Sequence, residues 1–182
     1  MYPYLRLLGV LLTAKFKPPL DIEKESILKK RVLFGDIDFY PELNNGRHLT
    51  LMDIGRFDLA LRTGLLRSVH KQKWGFAVAG ASVRFRHRIK FFNCFRLHTR
   101  LVAVDERWFY FHQRTIRKGK IHSAALIRAG VTSKQGIVPV KKVLEVMGIS
   151  DWNPGMPEWV QAWAAAEEIR PWEIINQDNE QK

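Results

Sequence analysis

The sequence predicts an α+β fold in which one long helix is followed by an antiparallel meander that wraps around it. Three observations carry this expectation. Leu51, Ile54, Phe57, Leu61 and Leu65 recur every three or four residues, which gathers them into one apolar stripe on a helix. Over 82–90 the period changes to two, with Val83, Phe85, His87 and Ile89 facing one way and Arg84, Arg86, Arg88 and Lys90 the other. Three more strand-like runs follow at 95–104, 108–117 and 120–131, separated by the turn-forming pairs Asp105-Glu106 and Lys118-Gly119. A sheet curled around a buried helix satisfies both periodicities.

The chain has 182 residues, enough for one well-buried core, and 46% of them are hydrophobic, which excludes a disordered chain. Three segments are expected: an N-terminal helix and linker (1–28), the main domain (29–136) and a C-terminal helical extension (137–182). The net charge of +12 implies an anionic partner, whether a phosphate-bearing ligand, an anionic membrane surface or nucleic acid. Cys94 is the only cysteine, so an intramolecular disulfide and a cysteine-based zinc site are excluded. The histidines lack metal-ligand spacing, and neither a G-x-S-x-G elbow nor a phosphate-binding loop is present. No metal or cofactor is expected.

Taken in order, 2–16 is an apolar run interrupted by Arg6 and shorter than the ~20 residues that span a bilayer. It reads as a helix packed on the body or on a partner subunit; the competing reading is peripheral membrane contact, with Arg6, Lys15 and Lys17 among lipid headgroups. Pro18-Pro19 ends it, and the charged stretch 20–30 reads as a linker into a strand at 30–34. Asp36 and Asp38 then enter a polar loop closed by Pro41 and by Asn44-Asn45, either of which is a good N-cap for the long helix. Alternation along an extended chain would set Asp36 beside Asp38 as a charge neighbour. The helix ends at Thr63-Gly64, and basic residues 67–73 form a loop. Beyond the meander, 140–147 and 157–169 read as short helices, and Trp152, Trp159, Trp163 and Trp172 are expected to pack on the sheet or on a second subunit.

The stretch FGDID…LNNGRHL, followed by a long helix and antiparallel strands, resembles the hotdog-fold acyl-CoA thioesterases, in particular the hydroxybenzoyl-CoA thioesterase-like group. The resemblance covers about 29–133, and the acidic helix positions Asp53 and Asp58 also fit it. It implies a hotdog fold and an acyl-CoA substrate, hydrolysed to free acid and CoA in a homodimer or dimer of dimers with the site between subunits. The second acid of D-x-D, Asp38, falls on the family's catalytic carboxylate. Relatives often carry G-H-x-N-N where this chain has Pro41-Glu42-Leu43-Asn44-Asn45, and an aromatic residue where it has His48.

Thioester hydrolysis needs a carboxylate to attack or to activate water, and N–H donors aimed at the carbonyl oxygen as it gains charge. Asp38 would supply the first, and the N–H of Asn45 or Gly46 the second. Asp58 lies inside the apolar stripe, where a charge must find a partner or stay protonated; it reads as a second acid or a group positioning water, or else as half of a buried pair with an Arg from the sheet or a helix edge wetter than the wheel implies. Asp36, Asn44, Glu42 and His48 are candidate substrate-binding residues around the loop. Arg84, Arg86 and Arg88 are candidates for the CoA phosphates, a solvated sheet face being the alternative. The aromatics at 108–111 could stack single-stranded nucleic acid, but no nucleic-acid motif accompanies them and no nucleic-acid partner is expected. Against hydrolysis stands a non-catalytic acyl-CoA or lipid-binding protein of the same fold. A cytoplasmic location is expected, with membrane association through the N-terminal helix as the second reading.

Overall fold

The computed structural model describes residues 3–171. Helix α1 (Tyr4–Ala14) leads to strand β1 (Ser26–Arg31), a 3-10 turn at Phe34–Asp36, the long helix α2 (Asn45–Arg62) and a short helix α3 (Leu65–Lys71). Strands β2 (Gly75–Phe85), β3 (Cys94–Val104), β4 (Phe109–Arg117), β5 (Lys120–Ser133) and β6 (Gly136–Val138) follow, then helices α4 (Val140–Met147) and α5 (Glu158–Ile169). All strand pairs are antiparallel, in the order β1-β3-β4-β5-β2, with β6 paired to β5.

The sheet has two apolar faces, and each has its own cover. Leu51, Met52, Ile54 and Leu59 of α2 share the main core with Leu97, Phe109, Phe111, Ile127 and Val131. Strand alternation sends Tyr110 and Leu126 to the other face, where they meet Val160 and Trp163 of α5. The C-terminal extension therefore covers part of the outer face of the sheet, one of the two placements expected from its tryptophans. Trp172 lies outside the described residues.

Several boundaries differ from the expectations. The first strand is β1, inside the charged stretch that reads as a linker: Ser26 and Leu28 are buried while Ile27 and Lys29 face out, and the whole strand pairs with β3. The basic loop after α2 contains α3, begun by Gly64 at φ 80° and anchored by buried Leu65 and Val69. Strand β2 starts at Gly75 and stops at Phe85, because the N–H groups of Arg86 and His87 both converge on the His122 carbonyl (2.8 and 3.1 Å) and the chain leaves the ladder. Arg84, Arg86, Arg88 and Lys90 consequently do not form one stripe on one strand.

Helix α1 packs on α2 through Val10 and Ala14, and Arg6 reaches Asp36. Its other side leaves Leu5, Leu8 and Leu12 exposed. Among the described residues no helix is long and apolar enough to cross a membrane.

Candidate active site

The loop joining the 3-10 turn to α2 is built from local bonds. Ile37 and Leu43 form an antiparallel bridge, and the Asp38 N–H donates to the Glu42 carbonyl at 3.0 Å. Asp38 Oδ1 accepts from the Tyr40 N–H at 2.9 Å, an Asx turn that orients the half-buried carboxylate. Its Oδ2 has no hydrogen-bond donor among the described residues. Phe39 and Tyr40 beside it are exposed.

Asp36 ties this loop to the helix. It is buried, accepts from Arg6 (2.6 Å) and from the Leu33 N–H (2.9 Å), and pairs with Arg47 in the first turn of α2 (3.3 Å). Its carbonyl also accepts from the Asn44 N–H at 2.9 Å. The 3-10 turn breaks the extended alternation, so its partners are arginines and a backbone amide, and Asp38 is not among them. Asn44 is the N-cap: its Oδ1 accepts from the N–H of Gly46 (2.9 Å) and of Arg47 (3.3 Å). Capping therefore occupies the Gly46 donor, and the N–H of Asn45, an exposed residue at the positive end of the helix, has no acceptor among the described residues.

The same loop is pinned to the chain beyond β2. Glu42 forms a bridge with Lys90 and an ion pair with Arg88 (3.3 Å), and the N–H of Leu43 donates to the Ile89 carbonyl (2.8 Å). Next to this lies a cleft of about 470 Å³ lined by Arg86, Arg88, Arg117, Lys118 and Lys120, with His87 and His122. Two of the predicted phosphate-binding arginines thus sit near the loop. Arg84, on the far side of the strand end, lines a different cavity.

Two other candidates are placed away from this chemistry. Asp58 is fully buried and bound by Lys17 (2.7 Å), Ser26 (2.6 Å) and Arg62 (3.5 Å). It stands thirteen residues past Asn45, roughly 20 Å along the helix at 1.5 Å per residue, so it does not fit the role of a second acid beside Asp38. It is half of a buried pair, but with Lys17 and its own helix's Arg62 in place of an arginine from the sheet. His48 is buried, with Nδ1 3.2 Å from Ser123 Oγ and its ring edge-on to Phe85 (5.1 Å). Burial, reinforced by nearby His122, lowers its pKa from 6.5 to about 4, so the ring is neutral at pH 7. It belongs to the packing between α2 and the sheet.

Residues that sequence reasoning did not single out as a group lie midway along α2. A cavity of about 180 Å³ is walled by Phe57, Ala60, Leu65, Phe76, Val78 and Phe111, with Asp53 and Arg56 as its polar members. Arg56 pairs with Asp53 (3.0 Å) and donates to Gln113 Oε1 (2.7 Å). The Gln113 amide donates in turn to the Met52 carbonyl and to Thr99 Oγ1. The signal available in the sequence is an Asp-x-x-Arg pair on a helix that is otherwise apolar on that side.

Residues 32–164 match the family model described as the thioesterase-like superfamily. The chain belongs to the thioesterase-like superfamily. Protein THEM6 of Danio rerio is 35% identical over 131 residues, covering 70% of this chain and 65% of the relative. Protein THEM6 of Xenopus laevis is 31% identical over 159 residues, 85% and 74% of the two chains. Among solved structures, DHNA-CoA thioesterase from Staphylococcus aureus superposes with a TM-score of 0.61 at 13% identity, covering 83% of this chain and 99% of that one. Protein SAV2348 from the same organism, solved in complex with CoA, gives 0.62 at 10% identity over 76% and 93%. These structural likenesses are likenesses of fold, and the fold is the hotdog arrangement of the superfamily.

Proposed function

We propose that this protein is an acyl-CoA thioesterase with Asp38 as its catalytic carboxylate. The observation that carries the reading is Asp38 itself: one carboxylate oxygen is held by the Tyr40 N–H and the other is open, in a loop that leads into the capped N-terminus of α2. Superfamily membership supports thioester chemistry there, and the CoA complex of SAV2348 supports a CoA-bearing substrate.

In the general-base form of the reaction, Asp38 takes a proton from water as the water oxygen bonds to the thioester carbon. The carbonyl oxygen becomes an oxyanion, which accepts a hydrogen bond from the Asn45 N–H. Collapse of the tetrahedral intermediate breaks the C–S bond, and the CoA thiolate takes the proton held by Asp38, which restores the carboxylate and leaves the free acid behind. In the nucleophilic form the open oxygen of Asp38 attacks the same carbon, expels the thiolate and forms an anhydride that water then cleaves. Both forms use the same carboxylate. The basic cleft at Arg86, Arg88 and Lys120 suits the CoA phosphates, and the apolar cavity beside α2, whose near end at Asp53 is eight residues or about 12 Å past Asn45, suits the far end of a long acyl chain.

The test is release of free CoA from short, medium, long and aromatic acyl-CoAs by wild type and Asp38→Asn. Turnover on one acyl class, lost by at least a hundredfold in a folded Asp38→Asn protein, is expected. Acyl-CoA bound but left intact by wild type would make this a binding protein on the hotdog fold. Turnover that survives Asp38→Asn would move the chemistry to another residue.

A further inference from the structure

The outer face of the sheet carries a second concentration of positive charge, away from the Asp38 loop. Strand register builds it. Arg100 of β3 lies opposite His112 of β4, and His112 opposite Leu126 of β5, which pairs with Ser82 of β2. One step along, His98, Arg114, Ala124 and Arg84 form the next row. Residues two apart on a strand share a face, so Arg84, Arg100 and Arg114 converge over a floor of small side chains. The first turn of α5 closes one side with Trp159, and the result is a cleft of about 570 Å³. That lies within the ~300–1,000 Å³ typical of sites for small organic ligands.

The charge in this cleft is only partly neutralised. Arg114 pairs with Glu25 at 2.6 Å, yet its Nε is buried without a partner. Arg84 and Arg100 are exposed and make no ion pair among the described residues. The other end of α5 shows the contrast: there Glu168 meets Arg128 (3.1 Å) and Arg107 (3.7 Å). At the cleft end, Glu158 forms no ion pair among the described residues. Clustered guanidinium groups repel one another, and their planar forks match phosphate oxygens. Burial, then the charges of Arg114 and Arg100, pull the His112 pKa down.

The wall is aromatic. Trp159 is 48% exposed and meets His112 edge-on at 5.3 Å, leaving indole surface open to the cleft. We propose that this cleft is a second ligand site, taking a nucleoside diphosphate or a closely similar phosphorylated ring compound, with its phosphates on Arg84, Arg100 and Arg114 and its ring on Trp159. The site combines four strands of the main domain (β2, β3, β4 and β5) with the C-terminal extension, so occupancy would bind the extension more firmly to the sheet. It does not depend on the thioesterase reading, because it shares neither Asp38 nor the cleft at Arg86 and Arg88.

Calorimetric titration of the full chain with ADP and with inorganic pyrophosphate at low ionic strength tests this. ADP is expected to bind more tightly than pyrophosphate. An Arg84→Gln/Arg100→Gln variant should weaken ADP about tenfold or more, the loss expected when charge-assisted bonds to phosphate are removed. Trp159→Ala should weaken ADP and leave pyrophosphate unchanged. Arg88→Gln should leave the binding that depends on Arg84 and Arg100 in place, and any separate ADP or pyrophosphate isotherm that it removes belongs to the cleft near the Asp38 loop. All these side chains are at least partly exposed, and circular dichroism would confirm that each variant folds. Absence of ADP binding to wild type overturns the proposal, as does ADP binding that resists the double arginine variant. Loss of ADP binding in Arg88→Gln would assign the nucleotide to the basic cleft near the Asp38 loop, and equal binding of ADP and pyrophosphate would reduce the site to an anion site without ring recognition.

Discussion

Asp58 shows how a buried acid can be indispensable without taking part in chemistry. Its carboxylate is fully buried between Lys17, Ser26 and Arg62, so it joins the segment after α1, strand β1 and helix α2 at one point. Asp58→Asn leaves two cations without their counter-charge. The expected loss is about 2–3 kcal/mol, below that of a wholly buried pair because Lys17 is partly exposed. Urea denaturation would read this loss, while turnover per folded molecule should stay near wild type. A hundredfold fall in turnover with unchanged stability would restore Asp58 to the catalytic machinery. His48 makes a pH-dependent contribution of opposite chemistry. Above pH 6.5 it is neutral in both folded and unfolded chains and contributes nothing to the slope. Between about pH 6.5 and 4 the unfolded chain takes up a proton that the folded chain refuses, so stability falls with falling pH, by about 3 kcal/mol in all. Denaturation at pH 7 and pH 4.5 should show this, and His48→Gln should flatten the slope without abolishing it, because His112 is shifted in the same direction. An unchanged slope would mean that His48 is accessible to protons in the folded state. The cap was legible to within one residue, Asn44 or Asn45, because an N-cap is settled by residues two or three positions away, whereas Asp38 was singled out by the family resemblance and not by its turn. The partners of Asp36 and Asp58 were not, since Arg6 and Lys17 lie 30 and 41 residues distant and no local pattern selects them.

At the scale of elements, the contact between α2 and the sheet depends on a single missing side chain. A Cβ on Gly55 would stand 2.6 Å from Thr99 Oγ1, 2.9 Å from Leu97 Cδ2 and 3.1 Å from Gln113 Nε2. Those neighbours cannot easily retreat: all three are buried, and Gln113 is hydrogen-bonded both to Thr99 and to the Met52 carbonyl of the helix. Alanine is the better helix former by about 1 kcal/mol, but overpacking a tight core costs about 1–3 kcal/mol. With a contact this short the second effect should win, so Gly55→Ala is expected to lower the melting temperature. A rise would show that the helix can move away from the sheet without loss. The helix and the meander were readable because both have strong periodicity. Strand β1 was not, because SILKKR carries three cations in six residues and becomes a strand only by pairing with β3. The end of β2 was equally hidden: alternation continues to Lys90, while the ladder stops where two N–H groups converge on one carbonyl of β5. Sequence period reports side-chain faces and not backbone pairing.

For the whole molecule, the question left by this fold is what covers the free edge of β2. The sheet has two edges, and they differ in character. Strand β1 is short and carries Lys29, Lys30 and Arg31, the charged side chains by which proteins discourage edge-to-edge pairing. Strand β2 has eleven residues and no charge before Arg84, and it exposes Phe76 and Val78 (54%). The apolar cavity beside α2 is lined by these same two residues, so a partner at this edge would also complete its wall. An antiparallel strand paired with its own copy obeys two-fold symmetry, and such an interface would continue the sheet from one subunit into the next. The expected state is therefore a homodimer through β2, read by sedimentation velocity at micromolar concentration. Val78→Lys, which places a charge in the centre of that edge, should yield folded monomers and lose turnover together with the completed cavity. Ile27→Lys on the β1 edge should leave the dimer intact. A monomeric wild type, or a dimer that persists in Val78→Lys and dissociates in Ile27→Lys, would move the interface away from β2, and the cavity beside α2 would then have to be closed by the chain alone.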